Sequence, residues 1–492
     1  MDQEVYNYDD EIKEIKQIDF DVLGNDEVKK RSVLSKESHG IDIPDLYDNM
    51  EPKQGGLIDS RLGTTNNNID CATCGLDTTN CVGHFGHITL AEPVFHVGYL
   101  SYLKKILSCI CLRCSKLLIH KNEEDIAHML KHKSGKARLN ELRNAIKNVT
   151  HCAKPIGCGT PISKIKIDTK KSTHTLVLYA ETIAPEMGDD NVTSKKKNIY
   201  TLTPEVCHGI LSRISDTECM ILGMDPKRSR PEMLIYEIFP VPPVHIRPSV
   251  RADPTTSIAM EDDLTAKLAD IVKCNNRIMK YKETLNENNE KYSQDHLCLL
   301  QYHVATFYDN ETLTLPKSEQ KGKVITALST RLKGKTGRIR GTLEGKRGDF
   351  SGRTVITPDP YLDINELAIP LDIAMNLTKP ITVTKINIQE LQQYVNNGRY
   401  KYPGANCYYP SVLGNIRGVS RQFDLRFKRD NIELKLGDIV ERHLIDGDYV
   451  LFNRQPTLHK QSMMAHKVRV LKDPTLRTFR FNPCVCTPYN AD

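Results

Sequence analysis

No apolar run in this 492-residue sequence approaches the ~20 residues that a bilayer-crossing helix needs. The opening stretch, MDQEVYNYDDEIKEIKQIDF, is acidic and amphipathic. It has neither the basic start nor the apolar run of a secretory leader, which excludes a signal peptide. The chain is therefore expected to be soluble and intracellular, with no membrane partner. Strong overall charge is missing too: 68 Lys and Arg against 62 Asp and Glu leave a formal +6, too little for the average to point to a partner. Length is not lacking, and it suits two to four domains with ample core.

The distribution of charge says more than its sum. From Arg331 to Arg353, three Lys and five Arg face only Glu344 and Asp349, so this short segment carries as much net charge as the whole chain. Cations alternate with glycine in Arg331-Leu332-Lys333-Gly334-Lys335-Thr336-Gly337-Arg338-Ile339-Arg340-Gly341 and again in Gly345-Lys346-Arg347-Gly348-Asp349-Phe350-Ser351-Gly352-Arg353. Glycine lets backbone approach a phosphate closely, and Arg and Lys neutralise it. A merely solvated charge run would not interleave its cations with glycine and lead into the strand-like Thr354-Val355-Ile356. The segment fits a polyanion.

Eight of the 15 cysteines fall before residue 159, mostly in close pairs. In a reducing compartment such clustering favours metal over disulfides. Cys71-x2-Cys74-x6-Cys81-x2-His84 supplies three thiolates and an imidazole at zinc-knuckle spacing, and four protein ligands leave no open position, so the site reads as structural. His87 is a spare in the same stretch and reads as a packing or hydrogen-bonding residue. Cys111-x2-Cys114 is a second knuckle. Cys152 and Cys158 are the nearest candidates to complete it, about forty residues on. Cys109 competes, but Tyr99 to Ile110 reads as a helix that would bury it. Cys207, Cys219, Cys274, Cys298, Cys407, Cys484 and Cys486 sit mostly in apolar surroundings and read as core.

Thr203-Pro204-Glu205 predicts a helix start, with a capping Thr and Pro in the first turn. The polar stretch before it, Gly188 to Asn198, reads as a surface loop. Five prolines between Pro231 and Pro248 suggest a rigid extended segment. Apolar spacing through Leu264, Leu268, Ile271, Val272, Ile278 and Met279 predicts one helix. A polar loop is expected over Asn286 to Ser293, and a second, antiparallel helix through Leu297 to Val304. The fold class is mixed α+β in several parts, with short strand-like runs at Asp448–Phe452 and Lys467–Leu471.

Several long, ordered motifs together resemble one family. Gly55-Gly56-Leu57-Ile58-Asp59-Ser60-Arg61-Leu62-Gly63, the first cysteine cluster, Gly83-His84-Phe85-Gly86-His87 and Pro93-Val94-Phe95-His96 are similar to the N-terminal clamp of the largest subunit of eukaryotic RNA polymerase II. The likeness continues through Pro240-Val241-Pro242-Pro243, Glu261-Asp262-Asp263-Leu264, Arg331 to Ile356, Tyr402-Pro403-Gly404-Ala405, Val450 to Lys460 and the final Pro488-Tyr489-Asn490-Ala491-Asp492. Only the first ~50 residues and Asp189 to Asn198 have no clear counterpart.

The resemblance implies a set of expectations. Residues 1–50 form a variable tail. Residues 51–355 form a clamp with two zinc sites, a lid, a helical hairpin that docks transcription factors, a rudder and a switch. Residues 356–492 form the dock and the start of a β-rich, double-psi active-site barrel. Lys333, Lys335, Arg340, Arg347 and Arg353 would hold template backbone, contacts that carry no sequence information. Arg454, with Asn490, would read ribose hydroxyls, the groups that separate ribonucleotides from deoxyribonucleotides. The last five residues match the opening of an N-A-D-F-D-G-D loop whose three aspartates hold catalytic Mg2+. The chain keeps the first, Asp492, so it would be the front of a longer subunit and inactive alone. The partners implied are the second-largest and other polymerase subunits, the remaining C-terminal part, template DNA, RNA and nucleoside triphosphates. A free-standing zinc-containing nucleic-acid-binding or factor-docking scaffold is the alternative, though such a module has no need of Arg454, Asn490 and Asp492. Abundant Lys, Asn and Ile suit an AT-rich genome, such as a large DNA virus or a protist. Either a nucleus or a cytoplasmic viral factory follows.

Overall fold

The computed structural model describes residues 17, 22–35, 39–48, 51–66, 69–119, 123–152, 157–170, 175–187, 193–251, 259–283, 287–311, 315–320, 322–411, 422–427 and 432–489. The chain divides into two compact units, Met1–Gly345 and Lys346–Asp492. No described helix is long and apolar enough to cross a membrane.

Along the first unit run α1 (Asn25–Arg31), β1 (Gly86–Phe95), α2 (Leu100–Leu107), α3 (Glu123–Leu130), α4 (Gly135–Ile146), β2 (Lys164–Lys170), β3 (Thr175–Met187), β4 (Thr193–Leu202), α5 (Pro204–Leu211), α6 (Asp216–Leu222), β5 (Ile235–Val241), α7 (Asp263–Glu283), α8 (Glu287–Tyr308) and α9 (Leu328–Leu332). Its strands form an antiparallel β1–β5 pair and a β2–β3–β4 meander. Two apolar cores result. One gathers Leu103, Ile106, Leu142, Leu211 and Leu222 from the short helices. The other packs α7 and α8 on the β1–β5 ribbon through Ile88, Val94, Phe239, Leu268, Ile271, Val304 and Phe307.

Local chemistry accounts for several boundaries. Thr203 caps α5 by accepting from the Val206 N–H, with Pro204 at the first turn, as its sequence predicts. Ser215 and Glu218 close a reciprocal capping box on α6, and Gly223 ends that helix in the left-handed region. The proline-rich segment becomes β5 between two tight turns.

Helices α7 and α8 run antiparallel. Lys267 lies over the Tyr302 ring at 5.0 Å, while the Cys274 thiol donates to the His296 carbonyl at 3.1 Å and Tyr281 stacks on His296. Most of the polar stretch expected as a loop, Glu287 to Ser293, is helical: α8 begins at Glu287. It contains no Gly or Pro, and polarity alone does not end a helix. Likewise Thr193 to Asn198, within the stretch expected to be a surface loop, pairs in register with Thr182 to Met187. It forms the edge strand of its sheet, where polar residues are tolerated.

The second unit runs β6 (Ile356–Pro358), β7 (Glu366–Pro370), α10 (Leu371–Asn376), β8 (Thr378–Thr382), α11 (Ile388–Asn397), β9 (Ala405–Tyr409), β10 (Phe423–Asp424), β11 (Ile439–His443), β12 (Tyr449–Asn453), β13 (Met463–Leu471) and β14 (Phe479–Phe481). Five strands form a mixed sheet in the order β6–β14–β7–β13–β12, and four form a second sheet, β8–β11–β9–β10. β7 pairs parallel with β13, so the chain must cross over between them. The second sheet and α11 lie within that crossover. The first sheet's core is Leu367, Ile369, Phe452, Val468, Phe481 and Tyr489.

Candidate metal centres and nucleic-acid interface

The first cluster is built by two tight turns within a single short stretch. After Cys71 and Cys74 the chain reverses at Gly75, whose φ of 65° is left-handed, and the Gly75 N–H donates to the Cys71 carbonyl at 2.7 Å. The second turn passes Gly83, φ 81°, whose N–H donates to Cys81 Sγ at 3.4 Å, and brings His84 Nε2 to 3.8 Å from that sulfur. The ligand atoms of Cys71, Cys74, Cys81 and His84 all lie within 4.8 Å of one another. Neighbouring backbone holds the module in place: Ala72 N–H donates to the Ser60 carbonyl at 3.1 Å and His84 N–H to the Leu62 carbonyl at 3.0 Å. Asp59, buried beneath this loop, accepts from the backbone of Gly55 and Arg61 and from the Arg61 side chain. Burial alone would raise its carboxyl, but these donors hold it below the ordinary value. His87 stays outside the group, fully buried, with its Nδ1 2.8 Å from the Ser32 hydroxyl.

The second cluster repeats the first turn with different residues. Cys111 N–H donates to the Lys116 carbonyl and Ser115 N–H to the Cys111 carbonyl, both at 2.8 Å. Ser115 takes the left-handed position, φ 59°, that Gly75 holds in the first knuckle. Cys152 and Cys158 arrive from the far side of α3 and α4. Cys111 and Cys158 sulfurs lie 3.5 Å apart and Cys114 and Cys152 sulfurs 3.7 Å apart, with all four within 4.8 Å. The environments differ across the site. Burial pushes the Cys111 thiol up to about 12. Hydrogen bonding from Thr160 brings Cys158 down to about 6. Cys109 is wholly buried, pushed up to about 12 by that burial, and does not join the group.

Both groups fit a tetrahedral metal. Four sulfurs ~2.3 Å from zinc stand about 3.8 Å apart, close to the spacings above. Each set could hold one metal ion. Neither leaves a position for substrate, because all four donors are protein groups.

Most of the basic segment faces solvent. Lys333, Lys335 and Arg340 are exposed in the first unit, and Arg347 and Arg353 are exposed in the second. Lys333 has one distant acidic neighbour, Asp309, at 3.8 Å. Among the described residues, Lys335, Arg340, Arg347 and Arg353 pair with no acidic side chain. Arg331 differs: it is tied to Asp262 at 2.5 Å and to the Ile246 carbonyl at 2.8 Å, so it anchors the segment. Gly337 is required by space, since a Cβ there would meet the Lys333 carbonyl at 2.2 Å.

Arg454 is half-buried in the loop after β12. Asn490 and Asp492 lie outside the described residues, but the chain just before them is firmly held. The Tyr489 hydroxyl lies 2.8 Å from His466 Nε2, and its ring meets Phe452 at 4.9 Å. The Ser462 hydroxyl donates to the Pro488 carbonyl at 3.3 Å and sits 2.7 Å from His459 Nδ1, in the same loop as Arg454. Sequence reasoning missed Ser462 and His466. Their importance lies in partners more than twenty residues away, for which the sequence carries no spacing signal.

The sequence that builds these two units matches one class of protein along nearly its whole length. The chain belongs to the RNA polymerase Rpb1 family: residues 12–343 match Rpb1 domain 1 and residues 345–492 match Rpb1 domain 2. The match begins at residue 12, so the likeness reaches into the first fifty residues and spans Asp189 to Asn198. Among curated proteins, the chain is 48% identical over 491 residues to the DNA-directed RNA polymerase subunit 1 of Acanthamoeba polyphaga mimivirus. That alignment covers 98% of this chain and 32% of the relative, so the chain spans about a third of the relative's length.

Proposed function

We propose that this chain is the front part of the largest subunit of a DNA-directed RNA polymerase. The observation that carries the reading is the match along nearly the whole chain to a polymerase subunit 1. In this reading the first unit is the clamp, with Cys71, Cys74, Cys81 and His84 on one Zn2+ and Cys111, Cys114, Cys152 and Cys158 on a second. The α7–α8 hairpin is the factor-docking coiled coil. The second unit contributes the dock and the first strands of a double-psi barrel, and its mixed parallel and antiparallel sheet supports that assignment.

Lys333, Lys335, Arg340, Arg347 and Arg353 grip the phosphates of template DNA, and their exposure and shortage of acidic partners suit that task. Arg454 and Asn490 receive the ribose of the incoming nucleotide. The Ser462–Pro488 bond supports this pairing, because it joins the Arg454 loop to the residues just before Asn490. Mg2+, when bound, would activate the RNA 3′-hydroxyl and stabilise the departing pyrophosphate. Asp492 would supply one oxygen ligand, and an octahedral site needs several, so we derive no step through the metal. The second-largest subunit, other polymerase subunits and the rest of this subunit are the partners required.

The test is primer extension by the assembled polymerase carrying Arg454→Ala. The expected result is at least a ~10-fold loss of preference for ribonucleotides over deoxyribonucleotides, the scale of one lost polar contact. Unchanged preference would remove Arg454 from the pocket. An assembled wild-type complex that binds DNA yet never extends a primer would favour the scaffold reading.

A further inference from the structure

A further ligand-type side chain lies against the backbone of the first metal cluster, outside the four grouped ligand atoms. His245 lies in the turn after β5, far along the chain from Cys71 to His84. Its ring rests on the cluster's own backbone: a Cβ on Gly83, the residue before His84, would come within 3.0 Å of His245 Nδ1. A Cβ on Gly63 would meet His245 Cε1 at 2.8 Å and Nδ1 at 3.0 Å. Both glycines hold positive φ, 81° and 120°, so two positions that resist side chains frame a slot for the imidazole. Pro243 packs against the same position of Gly83 beside the ring.

Within the slot, both ring nitrogens of His245 are shielded from solvent, and neither has a hydrogen-bond partner among the described residues. A neutral imidazole carries one N–H and one lone pair, and buried polar atoms without partners are rare enough to require an explanation such as an ion. The outer members of the cluster, Cys74 and His84, are also its less buried ones.

We infer that His245 is a reserve ligand of the first metal cluster, able to take the metal's fourth position when His84 or Cys74 gives it up. This rests on reading that cluster as a zinc site. Exchanging His84 for His245 replaces one neutral nitrogen donor by another. Three thiolates stay on the metal, and the charge of the site does not change. The loop from Cys81 to His84 can then release its imidazole without releasing the ion.

Zinc stoichiometry and affinity, measured on the full chain by competition with a chromophoric chelator, test this. Wild type is expected to hold two zinc ions. His84→Ala is expected to hold two, with the weaker site reduced ~10–100-fold. His84→Ala/His245→Ala is expected to hold one. Identical stoichiometry and affinity in the single and double variants would overturn the role of His245. Fewer than two ions on wild type would overturn the zinc reading itself, and the inference with it. Should His84→Ala not fold, cadmium-113 NMR of Cys74→Ser decides. A resonance that moves when His245→Ala is added supports nitrogen ligation by His245, and one that does not move rules it out.

Discussion

At Asp448 three donors converge on one buried carboxylate. Arg442 on β11 binds both oxygens at 2.7 and 2.9 Å, Lys379 on β8 donates at 3.0 Å and the Ile445 N–H at 3.1 Å. The residue sits just before β12, so it ties the two sheets of the second unit together. Burial would raise its carboxyl, but the hydrogen bonds, led by Arg442, outweigh burial and hold it at about 2 against an ordinary 3.8. A carboxyl depressed in the folded state contributes its full stability above 3.8 and loses it as pH falls towards 2, an effect of about 2 kcal/mol. Hydrogen exchange of the β11–β12 amides should therefore show protection eroding across that window. Asp448→Asn should lower protection at neutral pH by about 3 kcal/mol, because it strands Arg442, and should flatten the acid dependence. A variant with wild-type acid dependence would refute this. None of it was legible beforehand: Asp448 appeared only as the start of a strand-like run, and no spacing signal joins it to Arg442 or Lys379. The candidate ligands Cys71, Cys74, Cys81, His84, Cys111 and Cys114 were legible because two-residue spacing within a knuckle suits a metal, whereas Cys152 and Cys158 stood out only as the nearest cysteines downstream.

Among the elements, the joint between β1 and the α7–α8 hairpin depends most on single side chains. The β1–β5 register slips between Thr89 and Val94, which leaves backbone groups of β1 without strand partners. Two amides on the hairpin bond this edge of β1, Asn275 at the slip and Gln301 at Phe95 just beyond it. Asn275 accepts from the Ala91 N–H at 2.7 Å and donates to the Thr89 carbonyl at 3.0 Å. Gln301 accepts from the Phe95 N–H at 2.7 Å and donates to the Phe95 carbonyl at 2.8 Å. Replacing either by Ala leaves buried backbone unpaired and should cost about 1–3 kcal/mol, read by chemical denaturation followed through the first unit. A loss below about 0.5 kcal/mol would mean that water serves the bulge equally well. The hairpin itself was readable from apolar spacing at Leu264, Leu268 and Ile271. The start of α8 was not, because the residues from Glu287 to Ser293 carry neither an apolar stripe nor a helix breaker. The bulge was equally hidden, since Pro93 in the sequence does not say which helix will serve the strand it interrupts.

For the molecule as a whole, both candidate metal groups belong to the first unit, and no such group is found among the described residues of the second. Stripping metal with a strong chelator should therefore act on one unit alone. Amides around Cys71 to His84 and Cys111 to Cys158 should lose exchange protection while β7, β13 and β14 keep theirs. Equal loss in both units would show that the second depends on the first. The division into two units was only partly readable, because the basic segment from Arg331 to Arg353 looked continuous in sequence although the boundary falls at Gly345. A run of charge does not mark a boundary, because compactness follows where apolar side chains gather.

The two knuckle sites differ in how far their ligands are strung along the chain. The first closes between Cys71 and His84, the second only between Cys111 and Cys158, a loop about three times longer that costs on the order of 1 kcal/mol more to close. If both groups hold zinc, then as the chain leaves the ribosome the first could capture its ion once its own short stretch has emerged. The second must wait, half-made, until α3, α4 and Cys158 follow. Zinc scarcity during synthesis would thus strike the second site first and leave nascent chains whose first module is finished and whose helical core is not.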